Sequence, residues 1–310
     1  MIIGYKDNII YLLSNDCEII NEIELSTEIL TFKVSPNEEF LIIYATEDNI
    51  NILYIYKILE NNIQFFNKIV NPDEENVEEN NNLIEMDISP NGKYLALLGF
   101  NKIIYIYSLE HSTNLSPIKL VDNIYNTGYT DILKFSDDSS LLMSKIHNEQ
   151  NIESRTITIL FDCENNFDII KKYTFSPIGF LGDNIILEQN NKIYKLNMFN
   201  NTNNNKELIF FNNSEKFTLK FIFNLNKTSF LLYSAIQKEI WIFNLETFQI
   251  LKYKFMKYVN SIKFIQDDEL VLIVNGVLLK LNLNNMVATK ISSNILNKHI
   301  NIEDDSLFLY

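Results

Sequence analysis

The sequence predicts an all-β chain folded as a seven-bladed β-propeller of four-stranded antiparallel blades. Three observations carry that prediction. An apolar strand, a polar turn and a second apolar strand recur seven times, beginning at Val34, Ile88, Phe135, Phe180, Phe223, Ile265 and Ile302. Successive starts are 54, 47, 45, 43, 42 and 37 residues apart, close to the period of about 40–45 residues typical of propeller blades. Counting from Ile302 past Tyr310 and on from Met1 to Val34 gives 42, so the repeat continues across the chain ends.

Each blade can be laid out in order. The blades span approximately residues 29–70, 83–121, 131–175, 176–211, 216–255 and 260–291, with the seventh built from 294–310 together with 1–25. One domain of residues 1–310 follows. The polar turn joins first and second strands, as in Ser35-Pro-Asn, Ser89-Pro-Asn-Gly and Ser136-Asp-Asp. Third strands are the runs Asn51-Ile-Leu-Tyr-Ile-Tyr, Lys102-Ile-Ile-Tyr-Ile-Tyr, Thr156-Ile-Thr-Ile-Leu-Phe, Lys192-Ile-Tyr-Lys-Leu, Glu239-Ile-Trp-Ile-Phe, Val277-Leu-Leu-Lys-Leu and Asn8-Ile-Ile-Tyr-Leu-Leu. They are rich in Ile, Tyr and Phe, bounded by turn formers, and often apolar on both faces, as strands between stacked sheets must be. Fourth strands, at 63–70, 116–121, 168–175, 207–211, 248–255, 287–291 and 18–25, are more polar, as befits wet outer edges. In the seventh blade His299 to Ile302 and Ser306 to Tyr310 read as first and second strands. Met1 to Tyr5 also resembles a second strand, so the choice between the two ends stays open.

Composition fits this layout. Phe 22 and Tyr 16 favour strands, and Gly 7 with Pro 5 leave the turns to Asn and Asp. Net charge is −14, and Arg155 is the only arginine. Direct nucleic-acid binding is therefore not expected, since it needs cations on phosphates and base edges. Cys17 and Cys163 are too far apart in sequence for a Cys-x-x-Cys site and are expected to pack as small apolar groups. No apolar run approaches the length of a membrane span, and Met1 to Asp7 lacks the core of a signal peptide. A soluble protein of the cytoplasm or nucleus is expected.

Two segments stand apart from the repeat. Asn71 to Asn82 is acidic and poor in apolar residues, and it accounts for the longest step between blades. Asn200 to Asn205 is an Asn-rich insertion.

The turn Ser89-Pro-Asn-Gly-Lys-Tyr-Leu-Ala followed by Ile103-Ile-Tyr-Ile-Tyr resembles the WD40 family, in which Ser-Pro-Asp-Gly links the first two strands. Ser35-Pro36-Asn37 matches the same turn, and Phe161-Asp162 and Phe243-Asn244 stand where the family's Trp-Asp pair would. Gly-His and Trp-Asp dipeptides are absent, so the family's buried Asp, His, Ser/Thr and Trp tetrad is missing. Blade cohesion is then expected from apolar packing between sheets. The resemblance implies a rigid platform for protein partners rather than an enzyme.

Catalytic and metal chemistry find little support. His111, His147 and His299 lie in no metal-binding spacing, and His111 and His147 read as solvated. The paired acids Asp137-Asp138, Asp267-Asp268 and Asp304-Asp305 occupy turn slots and read as caps. Glu85, Asp87 and Asp131, at or near first strands, are the best case for a hard cation and hence for a propeller hydrolase or lyase. The expectation remains a non-catalytic interaction scaffold without cofactor or metal. A non-catalytic partner subunit of an RNA-processing enzyme is a further alternative. Candidate partner-binding residues are Asp73, Glu74, Glu75, Glu78 and Glu79 in the acidic segment, with Tyr125 and Tyr129 in a connector, because loops on rigid scaffolds carry binding and aromatics anchor interfaces.

Overall fold

A computed structural model of the chain describes residues 2–6, 8–13, 19–48, 50–60, 62–70, 83–99, 103–110, 116–121, 130–147, 156–189, 192–198, 206–211, 219–223, 228–234, 238–245, 250–254, 259–274, 277–285, 287–290 and 308–309. Every regular element among them is a strand. In chain order these are β1 (Ile2–Lys6), β2 (Ile9–Leu13) and β3 (Ile19–Glu24); β4 (Glu28–Val34), β5 (Phe40–Glu47), β6 (Ile50–Leu59) and β7 (Asn62–Val70); β8 (Leu83–Ile88), β9 (Tyr94–Gly99), β10 (Ile104–Ser108) and β11 (Lys119–Val121). There follow β12 (Thr130–Phe135), β13 (Leu141–His147), β14 (Thr156–Asp162) and β15 (Asp168–Tyr173); β16 (Ser176–Leu181), β17 (Asn184–Gln189), β18 (Lys192–Asn197) and β19 (Lys206–Phe211). The last are β20 (Leu219–Phe223), β21 (Ser229–Ser234), β22 (Glu239–Asn244) and β23 (Ile250–Lys254); β24 (Val259–Gln266), β25 (Glu269–Val274), β26 (Val277–Asn282) and β27 (Val287–Lys290); and β28 (Phe308–Leu309).

These strands form seven four-stranded antiparallel sheets. Six are sequential meanders, and the seventh runs β28-β1-β2-β3, joining the two chain ends. The seven expected antiparallel sheets, with their third and fourth strands, are therefore present, although β11 starts only at Lys119. The seventh sheet decides the choice between the two ends. The C-terminal strand takes the first position, not the second, pairing Phe308 with Tyr5 and Leu309 with Gly4. The second position belongs to Ile2–Lys6, which zips onto β2 with Lys6 opposite Ile9. That hairpin is local, so its closure entropy is far smaller than that of bringing in the distant C-terminus. Its Asn8 adopts φ 64, the left-handed conformation that Asn tolerates. His299 to Ile302 lie outside the described residues. His147, expected in a loop, is the last residue of β13 and pairs with Thr156.

The chain clusters into two compact units, Thr27–Asn213 with four sheets, and Met1–Ser26 with Ser214–Tyr310, which holds three. Within each unit the core is made between sheets. In the first, Ile42, Tyr44, Leu53 and Ile55 of β5 and β6 meet Leu95, Leu97, Tyr105 and Tyr107 of β9 and β10. The other faces of β9 and β10 supply Ala96, Leu98, Ile104 and Ile106 to a cluster with Leu142, Ile159 and Phe161. Leu141, Met143 and Leu160 then pack on Ile185, Leu187 and Leu196 of the next sheet. In the second unit Leu231, Ile240 and Ile242 meet Phe264, Leu270 and Leu272. Middle strands are thus buried on both faces, which is why their sequences run apolar without alternation. β5 shows it most plainly, with six buried residues in succession.

First strands carry a recurring irregularity. β4, β8, β12, β16 and β24 each bulge near their start, at Leu30, Ile84, Asp131, Ile178 and Asn260. A bulge bends a strand and re-aims the side chains that follow it. It thereby fixes which residues of the first strand face the next sheet.

Candidate functional site: a first-strand charge array

Asp73, Glu74, Glu75, Glu78, Glu79, Tyr125 and Tyr129 lie outside the described residues, as do Cys17, His111, His299 and Asp304-Asp305. Among the described residues the chemically distinctive features are three matched turns and a set of charges just before them.

Ser35, Ser89 and Ser136 open the turns, and all three are buried. Each accepts a hydrogen bond at Oγ from the backbone N–H five residues on: Phe40, Tyr94 and Leu141, every one at 2.8 Å. Ser89 and Ser136 also donate from Oγ to Asn91 Oδ1 and Asp138 Oδ1, at 2.7 and 2.6 Å. The residue three beyond each serine is left-handed: Glu38 at φ 59, Gly92 at φ 70 and Ser139 at φ 65. Only one of the three is glycine, so the serine and Asn/Asp hydrogen bonds hold the others in a conformation L residues avoid. At Gly92 a Cβ would stand 2.5 Å from Asn37 Nδ2 and 3.1 Å from Glu39 Oε2, both in the turn of the neighbouring sheet. Gly92→Ala is expected to destabilise the fold by about 1–2 kcal/mol, chiefly through left-handed strain, as read from the urea midpoint.

Adjacent turns touch in series. The Asn91 N–H donates to Ser139 Oγ at 3.0 Å, and the Gly182 N–H to Asp137 Oδ2 at 3.2 Å. The reading of Asp138 as a cap is borne out. Burial alone would raise its carboxyl, but the Ser136 hydroxyl and the Ser140 N–H and hydroxyl hold it below the usual range. Two other blades turn more tightly. Leu181 pairs directly with Asn184, and Gln266 with Glu269, so these two blades use tight two-residue turns. Neither has a serine to accept the N–H bonds of a longer loop.

Two residues before each serine stands a charge: Lys33, Asp87 and Lys134, on the first strands β4, β8 and β12 of three successive sheets. Lys33 Nζ lies 2.8 Å from Asp87 Oδ1 and 3.8 Å from Glu85 Oε1. It also donates to the Met86 carbonyl at 2.8 Å. Asp87 Oδ2 accepts the Phe135 N–H at 2.7 Å, so one carboxylate links its own first strand to both neighbours. Burial pushes the Lys134 ammonium below the usual lysine range, with Asp87 and Glu85 opposing. Burial likewise raises Glu85, with Lys33 opposing and Asp87 adding to the rise.

The charge order positive, negative, positive across matched positions was open to sequence reading. It emerges once the chain is aligned on the turn serines. Glu85 and Asp87 were legible as first-strand carboxylates; Lys33 and Lys134 were missed because lysine on a first strand looks like a solvated residue. Asp131 sits at the bulge of β12. Among the described residues no group of three His, Cys, Asp or Glu is placed to hold a metal. The cation that Glu85 and Asp87 meet is the ammonium of Lys33.

Two further polar groups complete the inventory. Glu239 is 6% exposed, accepts from Trp241 Nε1 at 3.1 Å, and pairs with Lys252 at 2.9 Å and Lys254 at 3.7 Å. Burial would raise its carboxyl, yet the hydrogen bonds from Lys252 and Trp241 hold it below the usual range. Cys163 is buried, and burial foremost pushes its thiol up to about 12. It follows the third strand at a slot held by Leu109, Met198 and Leu283 in other blades, where each N–H bonds back to the turn before the second strand. Its expected role as a small apolar filler is borne out.

No protein-family model matches the chain, and no curated protein matches it in sequence. Solved structures do resemble it. Hsv2 of Kluyvelomyces marxianus aligns with a TM-score of 0.58 at 11% identity over 83% of this chain and 77% of its own. Sqt1 of Saccharomyces cerevisiae gives 0.56 at 10% identity over 92% and 80%. A chain of the Mitotic Checkpoint Complex gives 0.58 at 11% identity over 84% and 78%. All three are WD40 β-propellers. Among the described residues no helix is long and apolar enough to cross a membrane.

Proposed function

We propose that this WD40-like β-propeller is a non-catalytic platform on which proteins of an intracellular complex assemble, its residues 1–310 working as one domain. One observation carries the reading: these carboxylates, from exposed Asp138 to buried Glu239, are spent on structural hydrogen bonds and ion pairs. Asp138 caps a turn, Asp87 ties three first strands together, and Glu239 is saturated by Trp241 and two lysines. A hydrolase or lyase would need a carboxylate poised for substrate or for a cation. Glu85 and Asp87, the best placed by sequence, face Lys33 instead. That one similar chain belongs to a named multi-protein complex agrees with the proposal. With Arg155 the only arginine, the partners are proteins rather than nucleic acid.

Affinity purification of the tagged chain from its native cells tests the proposal. A stoichiometric partner is expected, with no turnover in a hydrolase panel. The enzyme alternative predicts that calcium raises the melting temperature and that a chelator lowers it. On the platform reading neither shifts it.

A further inference from the structure

We propose that the free edge of β23 receives an extended acidic segment of a partner protein as an added strand. The inference rests on the platform reading above and names the surface that reading lacks. Among the described residues β23 ends its sheet, so one row of its backbone groups faces outward. Outer strands β3, β7, β15 and β19 each carry a bulge, a device that spoils pairing at an edge. β23 pairs with β22 in unbroken register, from Ile250 opposite Phe243 to Lys254 opposite Glu239. The other unbulged outer strands are shorter, three residues in β11 and four in β27 against five in β23.

Side chains specify the occupant. Leu251 is 42% exposed, and the side chains of Lys252 and Lys254 are 55% and 72% exposed. The strand has no acidic residue, although the chain carries a net charge of −14. Both lysines share one carboxylate, Glu239. A second copy of this edge would set lysine against lysine and be repelled. A strand with acids at alternate positions meets both lysines, which are two residues apart and so lie on one face, while its intervening apolar residues meet the Leu251 face. An anionic lipid surface would satisfy the lysines but not the row of backbone groups.

The probe is a synthetic peptide alternating Glu and Val, with a block peptide of the same composition as control. Binding is read by fluorescence anisotropy and by hydrogen exchange of the full chain. The alternating peptide is expected to bind, more weakly as salt rises, and to slow exchange at residues 250–254. Leu251→Glu and Lys254→Glu are each expected to weaken binding about tenfold. Unchanged thermal unfolding of both variants shows that they remain folded. The proposal is overturned by no binding, by equal binding of the block peptide, by unaltered affinity in both folded variants, or by anionic vesicles protecting the same amides in place of the peptide. Retention of a stoichiometric partner by Lys254→Glu, with no peptide binding, would discard this edge and keep the platform; no partner on the unmutated chain would discard the platform itself.

Discussion

Asp87→Ala is expected to destabilise the protein by about 3 kcal/mol, while Glu85→Gln, two residues away, costs under about 1 kcal/mol. The asymmetry follows from what each carboxylate does. Asp87 holds Lys33 at 2.8 Å and the Phe135 N–H at 2.7 Å, and its charge supports the buried ammonium of Lys134. Its removal leaves the Phe135 N–H without its acceptor, takes the nearest carboxylate from Lys33 and removes a compensating charge near Lys134. Removing one partner of a buried pair costs about 3–5 kcal/mol, and the partial exposure of Lys33 and Asp87 brings the expectation to the lower end. Glu85 is 3.8 Å from Lys33, and burial already disfavours its charge, so a neutral amide loses little. The urea midpoint measures both, with an unchanged slope showing that two-state unfolding persists. pH gives a second reading. Lys134 has a folded-state pKa below its unfolded value, so folding releases a proton within that window and rising pH favours the folded state. Without Asp87 that pKa falls further. The Asp87→Ala deficit should therefore narrow as pH is raised towards the ordinary lysine range. A deficit that stays constant there would place the cost in the lost Phe135 hydrogen bond rather than in the lysines.

The contrast between fold and site shows what a repeat makes legible. Seven turns at near-regular spacing announce seven blades, because each blade must start a new apolar strand after a polar corner. The third strands were equally plain, since sheet-on-sheet burial forces runs such as Ile104–Ser108 to be apolar on both faces. The seventh sheet was harder. Among the described residues its first strand contributes only Phe308 and Leu309, too short for any periodicity, while Ile2–Lys6 and Ser306–Tyr310 carry the same apolar signature. Asn8, a residue that tolerates the left-handed conformation it adopts just before β2, was the deciding signal, and it lies in the sequence. The charge array was hidden for another reason. Its members are about 50 residues apart, and only the turn serines reveal that Lys33, Asp87 and Lys134 share a position. The edge of β23 could not be singled out at all from sequence, because the bulges that mark off other outer strands leave no residue signature beyond one extra apolar side chain.

Inter-sheet apolar packing sets the second large effect: Phe161→Ala is expected to cost about 4 kcal/mol, more than any polar substitution above. Phe161 stands where the WD40 family places the Trp of its Trp-Asp pair, and it is fully buried. It joins Leu142 and Ile159 of its own sheet to Ala96, Leu98, Ile104 and Ile106 of the preceding one. Asp162, in the family's Asp position, makes no buried network. It accepts the N–H groups of Glu164 and Asn165 at 3.0 and 3.1 Å and caps the turn into β15. The ring of Phe161 thus goes to inter-sheet packing and the carboxylate of Asp162 to a local turn. Asp162→Ala is accordingly a cap loss of about 1 kcal/mol. Phe161→Leu keeps most of the volume and should cost under about half of the alanine change. If blades cohere through apolar surface, the ranking Phe161→Ala, Phe161→Leu, Asp162→Ala holds in thermal and urea unfolding. An Asp162 effect equal to that of Phe161 would mean that a polar network still binds the sheets, and the account of cohesion by packing would fail.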